Sequence, residues 1–158
     1  RGLGDVYKRQ VLTLIMFTSA SFAEDPGTRE EAAALLDRAI AILSIDKNRA
    51  LEQFTSGDGG MIQGDLYVFC FISDWTKLSG TITAHPAAVG FNIFSDPDLK
   101  DENGTQLGET MTSTAKPGVI SEAVYKLRKY DSDSEEEYTK TTLYTKVSDQ
   151  ICGVGYYN

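Results

Sequence analysis

The sequence predicts an α+β domain with one antiparallel sheet of about five strands and a long N-terminal helix against one face. Three observations predict it. A capping-box signature at residue 28 opens an apolar pattern of helical period. The run Leu66 to Ile72 is apolar on both of its faces. From Val119 onward the pattern is that of strands in three segments separated by turn-forming residues, the first alternating apolar and polar residues.

The first ten residues are set aside. Asp5-Val6-Tyr7-Lys8-Arg9-Gln10 matches one reading frame of a sequencing-library adapter, and residues 1–10 are read as adapter-derived. Residues 11–23 are read as the remnant of a signal peptide: an apolar run from Val11 to Phe17, then small residues at Ser21 and Ala23 before Glu24. That run falls well short of the ~20 residues that cross a bilayer. The expected location is therefore periplasmic or secreted, with no membrane attachment after cleavage. Residues 24–158 are read as a single domain, long enough to bury one core without staples.

Thr28-Arg29-Glu30-Glu31 is the capping box, with the Thr28 hydroxyl and Glu31 carboxylate placed to satisfy each other's backbone N–H. The helix is expected to run to Ile45, with Ala32, Leu36, Ala39, Ile40 and Leu43 on its buried stripe. A shorter helix is expected from Asn48 to Phe54, capped by Asp46 or Asn48 and stopped by Gly57-Asp58-Gly59-Gly60. Gly64-Asp65 is a turn signal. In the strand that follows, Leu66, Val68, Cys70 and Ile72 share one face, and Tyr67, Phe69 and Phe71 share the other. An apolar pattern on both faces places this strand at the centre of the sheet, covered above and below.

A second strand is expected over Thr81 to His85, ended by Pro86. Residues 87–104 read as a mainly irregular crossover, and Gln106 to Ala115 as a short helix. Ala123, Tyr125 and Leu127 alternate with Glu122, Lys126 and Arg128, which predicts a strand wet on one face. Tyr138–Val147 and Ile151–Tyr157 complete a meander, with Ser148-Asp149 as the tight turn. The crossover then roofs the sheet face opposite the long helix. The space between sheet and roof is the expected ligand site.

Residues 1–23 carry Arg1, Lys8 and Arg9 against Asp5, so the whole-chain net charge of −8 becomes −10 for residues 24–158. Such acidity disfavours nucleic acid and anionic membranes as partners. Cys70 and Cys152 both fall in predicted strands, and two readings remain open for them: a disulfide, or two buried thiols. With one histidine in the chain and no cysteine pair at ligand spacing, no metal centre is expected. No nucleophile–base spacing and no Gly-rich phosphate loop is present, so the chain reads as a non-enzyme without a cofactor.

Six residues stand out as ligand-binding candidates. Tyr67, Phe69 and Phe71 offer rings on one strand face. His85 ends a strand beside the crossover and can donate to a carboxylate. Tyr156 lies in the last strand. Lys140 is the sixth, by its place in the pattern described next; the competing readings are core packing for the rings and a solvated strand lysine for Lys140. Arg128 is a weaker candidate, and Asp101 is read as a turn cap.

The ordered set Ala50-Leu51-Glu52-Gln53-Phe54, Gly57-Asp58-Gly59-Gly60, Asp65-Leu66-Tyr67-Val68-Phe69, Ala84-His85-Pro86, Gly90-Phe91-Asn92, Leu99 to Gly104 and Gly153-Val154-Gly155-Tyr156 resembles a single Cache domain of the second type, an extracytoplasmic relative of the PAS fold. The resemblance covers residues 29–157. It implies a sheet with spatial order 2-1-5-4-3, a small metabolite such as a short organic acid as ligand, and Lys140 as the cation that meets it. It also implies a signalling protein partner that reads closure of residues 86–104 over the sheet. The chain departs from the family pattern in a short loop, Ala87-Ala88-Val89, after Pro86, and in Tyr144, one place later than the family's Lys-x-x-Tyr. Two other readings stand beside the sensor: an interaction or structural module of the same fold without a ligand, and the truncated sensor part of a membrane receptor.

Overall fold

The computed structural model describes residues 26–74 and 76–158. The expected adapter-derived segment, residues 1–10, and the expected signal-peptide remnant, residues 11–23, lie outside the described residues. Helix α1, Arg29–Ile45, starts as the capping box requires: Thr28 Oγ1 accepts from the Glu31 N–H at 3.2 Å, and Glu31 Oε2 accepts from the Thr28 N–H at 2.8 Å. Its buried stripe is Ala32, Leu35, Leu36, Ala39 and Leu43; Ile40 is only half-buried. Losing a side-chain cap costs about 1 kcal/mol. Thr28→Ala should lower the urea midpoint accordingly, and an unchanged midpoint would show that α1 is held by packing alone.

Asp46 closes α1 and opens α2, Lys47–Ser56, where its carboxylate accepts from the Arg49 N–H at 3.2 Å. Gly57 ends α2 in the left-handed region, φ 84°, which a side chain would strain. A two-residue strand, β1 (Ile62–Gln63), then pairs with the start of β2 (Leu66–Ile72) across the Gly64-Asp65 turn. This pairing has no periodic signature, because two residues are too few to alternate.

Strand β3, Ile82–Ala84, is shorter than the expected Thr81 to His85. It pairs with β2 through an irregular register, and Thr81, whose carbonyl accepts from the Ile72 N–H at 2.9 Å, also bridges Asn92. The roof follows: a 3-10 turn over Ile93–Ser95 and helix α3, Leu107–Thr114. Phe94 pins these pieces together, since its ring fills the space that a Cβ at either Gly80 or Gly108 would occupy. Strands β4 (Ser121–Arg128), β5 (Glu137–Val147) and β6 (Gln150–Tyr157) form the meander. The tight turn falls at Ser148-Asp149, with Ser148 at φ 55°.

The strands lie in the order β3-β2-β6-β5-β4, with β1 also on β2. Numbering the five longer strands along the chain gives 2-1-5-4-3. Strand β2 sits inside the sheet and carries the two cores on its two faces. Leu66, Val68 and Cys70 pack beneath α1 and α2, together with Leu143 and Val154. Tyr67, Phe69 and Phe71 pack under the roof with Ile93, Leu107 and Met111. Cys70 and Cys152 stand directly opposite each other on β2 and β6 and form a disulfide, with a Cα–Cα distance of 4.1 Å. Among the described residues no helix is long and apolar enough to cross a membrane.

Candidate functional site

The ring face of the sheet and the roof enclose a cavity of about 310 Å³. Its walls are largely apolar: Phe69 from β2, Ile82 from β3, Ile93, Leu99 and Leu107 from the roof, and Leu127 from β4. Tyr67, His85 and Tyr130 line its polar end, and Arg128 and Lys129 line it on the solvent side. A wider groove of about 520 Å³ runs beside Lys100, Glu102, Lys126 and Glu137, but it is polar and of mixed sign, and these four side chains are exposed.

At the polar end the ring of Tyr67 meets those of His85 and Tyr130 edge-on, with centroids 4.8 and 4.9 Å away. His85 Nδ1 accepts from the Ala87 N–H at 2.9 Å, so the neutral ring carries its proton on Nε2. Burial, reinforced by the charge of Lys140, lowers the His85 pKa to about 4, and the ring is neutral at pH 7. The neutral form therefore favours folding fully above pH 6.5, and that contribution is lost as pH falls toward 4. The loss amounts to up to about 3 kcal/mol. Acid unfolding should start at lower pH in His85→Gln than in the parent chain; superimposable profiles would contradict this burial.

Lys140 on β5 is completely buried, and its position is governed by glycine. A Cβ at Gly155, on the neighbouring strand, would overlap Lys140 Cε. The Lys140 ammonium donates to Tyr67 Oη at 2.9 Å and lies 4.1 Å and 4.7 Å from the ring centroids of Tyr67 and Tyr157. No carboxylate pairs with it among the described residues. Burial lowers its pKa to about 7, against a partial opposing pull from Asp65. Burial also holds the Tyr67 phenol well above the usual tyrosine range, so this hydroxyl keeps its proton. With its oxygen taking the Lys140 hydrogen bond, Tyr67 has its own O–H left to donate.

The six sequence candidates thus divide. Tyr67, Phe69 and His85 line the cavity together. Lys140 is neither a solvated lysine nor a wall of the cavity; it lies behind Tyr67 and reaches the site through that hydroxyl. Phe71 shares the ring face but is fully buried away from the cavity lining. Tyr156 is a correction: it packs on the helix-side core, because Lys140 pairs with Tyr157, and the alternation of β6 sends Tyr156 to the opposite face. Tyr157 belongs to the Lys140 side, and its hydroxyl donates to the Arg128 carbonyl at 3.2 Å.

Sequence reasoning missed Ile82, Ile93, Leu99 and Tyr130, which sit in short or irregular segments without a readable period. Leu127 was legible from its alternation with Lys126 and Arg128. Arg128 is exposed and paired with Glu135, and Lys129 meets Asp65 at 3.4 Å. Asp101 organises the roof: its carboxylate accepts from the N–H groups of Asn103 and Thr105, each at 2.9 Å, and from the Thr110 hydroxyl at 2.6 Å. The Thr110 bond leads in holding its pKa below the usual carboxylate range. Among the described residues no three His, Cys, Asp or Glu side chains are grouped to hold a metal ion.

This arrangement, a long helix under a 2-1-5-4-3 sheet with a roofed ring face, is the α+β fold of Cache domains. Solved structures share it, among them two sensory domains. One is a chemosensory Cache domain described for carboxylic acid recognition, at a TM-score of 0.53 and 17% identity, covering 81% of this chain and 86% of that one. The other is the periplasmic sensor domain of a chemotaxis protein, at a TM-score of 0.51 and 18% identity, covering 81% of this chain and 88% of that one. No family model matches the sequence. No curated protein matches it either.

Proposed function

We propose that this chain is an extracytoplasmic sensory module that binds a small organic acid between the sheet and its roof. The observation that carries the reading is Lys140: a buried ammonium without a carboxylate partner among the described residues, hydrogen-bonded to the hydroxyl of Tyr67, which lines the cavity. The carboxylate would accept from Tyr67 O–H and His85 Nε2–H. Lys140 would act as a positioning residue, whose charge strengthens the Tyr67 donor. The disulfide fits an oxidising compartment, as does the location of the periplasmic neighbour. Binding would draw residues 86–104 onto the sheet, and a signalling partner would read the altered surface. The largely apolar lining with a few donors at one end supports a binding role.

Thermal unfolding of the intact chain against a panel of organic acids and amines tests this reading. A ligand selective for the folded state at a hundred times its dissociation constant adds about 2.7 kcal/mol of stability. Acids should raise the melting temperature and amines should not. A panel without any active acid would remove the reading and favour the alternative, an interaction module that keeps the fold without a guest. That alternative draws on the complete burial of Lys140, whose ammonium meets a hydroxyl and two rings of the protein itself.

A further inference from the structure

We propose that the cavity selects a monocarboxylate with an extended apolar body, a medium-chain or aryl-substituted alkanoate, over short hydroxy, keto or dicarboxylic acids. This rests on the acid-binding reading above and narrows it.

The two ends of the cavity differ in kind. Polar donors gather where Tyr67, His85 and Tyr130 meet within edge-to-face distance. Apart from the Tyr125 ring and the solvent-side Arg128 and Lys129, the remainder is hydrocarbon, chiefly Phe69, Ile82, Ile93, Leu99, Leu107 and Leu127. A second carboxylate, a hydroxyl or a keto oxygen placed against these hydrocarbon walls would lose its water without gaining a partner, which disfavours it strongly, and Arg128 and Lys129 at the solvent side are already paired with Glu135 and Asp65. A free amine finds no anion, since among the described residues no Asp or Glu lines the cavity and the charged groups lining it, Arg128 and Lys129, are both cationic. An acid as small as acetate would occupy the donors and leave most of the apolar surface uncovered. The volume of about 310 Å³ stands at the low end of the range for drug-sized ligands, roughly 300–1,000 Å³, so it suits one such body and no more.

Burial of apolar area then ranks the ligands. Each methylene moved from water to the walls tightens binding about fourfold until the cavity is full. Isothermal titration of the intact chain with acetate, butyrate, hexanoate and 3-phenylpropanoate should follow that ladder. Lactate, pyruvate and succinate should bind more weakly than butyrate. The amide of 3-phenylpropanoate should bind at least tenfold more weakly than the acid.

The outcomes separate the two levels of the argument. Acetate, lactate or succinate binding as tightly as hexanoate would overturn the apolar-body inference and leave the acid-binding reading standing. An amide as tight as its acid, or no binding by any acid, would overturn both. Leu99→Phe places the ladder in this cavity: it should weaken hexanoate about tenfold and spare acetate, with the thermal melt reporting the fold. If Leu99→Phe does not fold, Leu99→Ala should move the optimum to a longer chain. An unmoved optimum in whichever variant folds would overturn the assignment to this cavity.

Discussion

Replacing Lys140 with methionine is expected to leave the chain at least as stable at pH 7 and to abolish a rise in stability that the parent shows toward alkaline pH. The Lys140 pKa falls from 10.5 to about 7 on folding. Between these values the unfolded chain holds a proton that the folded chain has released, so stability rises with pH. The rise is about 2 kcal/mol from pH 7 to pH 9. Above that window the buried tyrosines oppose it: Tyr67 and Tyr125 keep their protons when folded and ionise when unfolded, Tyr125 being raised to about 12. Methionine conserves the bulk and removes the cost of an unpaired buried charge. The Tyr67 oxygen loses a donor, a cost of about 1 kcal/mol and the smaller effect.

Ligand binding should respond in the opposite direction. A hydrogen bond to a charged group contributes about 1.5–3 kcal/mol, so Lys140→Met should weaken an acid ligand roughly ten- to a hundredfold. Gly155→Val should weaken it by displacing the Lys140 stem, with the charge retained. Urea titrations at pH 7, 8 and 9 with parallel ligand titrations measure both effects. A parent chain with flat stability over this range would mean that Lys140 is not buried as described. Unchanged ligand affinity in both variants would remove Lys140 from the recognition of the acid.

The second large effect belongs to the disulfide. Cys70 and Cys152 are 82 residues apart in sequence, and closing a loop of that length restrains the unfolded chain by about 4 kcal/mol. That is a large share of the ~5–15 kcal/mol by which domains are stable. The double variant Cys70→Ala, Cys152→Ala should lose about that much in urea denaturation. Mild reductant should act slowly on the native parent, because both sulfurs lie in the helix-side core and open to solvent only with it. A midpoint within error of the parent would mean that the bridge adds nothing beyond the β2–β6 ladder already around it.

Much of the fold was legible locally. Thr28 and Glu31 announce α1, and the two-sided apolarity of Leu66 to Ile72 places β2 inside the sheet. The alternation around Tyr125 tells the wet face of β4 from its dry face. These signals survive because each depends on neighbours in the chain. The β1–β2 pairing, the trimming of β3 and the roof contacts of Phe94 depend on distant segments, so no local period marks them. The candidate site was half legible: Tyr67, Phe69 and His85 belong to it, whereas Tyr156 faces away and Phe71 lies beyond its walls.

The amino-acid sequence by itself determined the helix caps, the two faces of β2 and the order of elements, because capping and alternation act over a few residues. Tertiary structure alone decided that Lys140 is buried behind Tyr67, that Cys70 meets Cys152, and that Tyr157 rather than Tyr156 turns toward the lysine. Each of these follows from the register between β2, β5 and β6, where a slip of one residue exchanges the two faces of a strand.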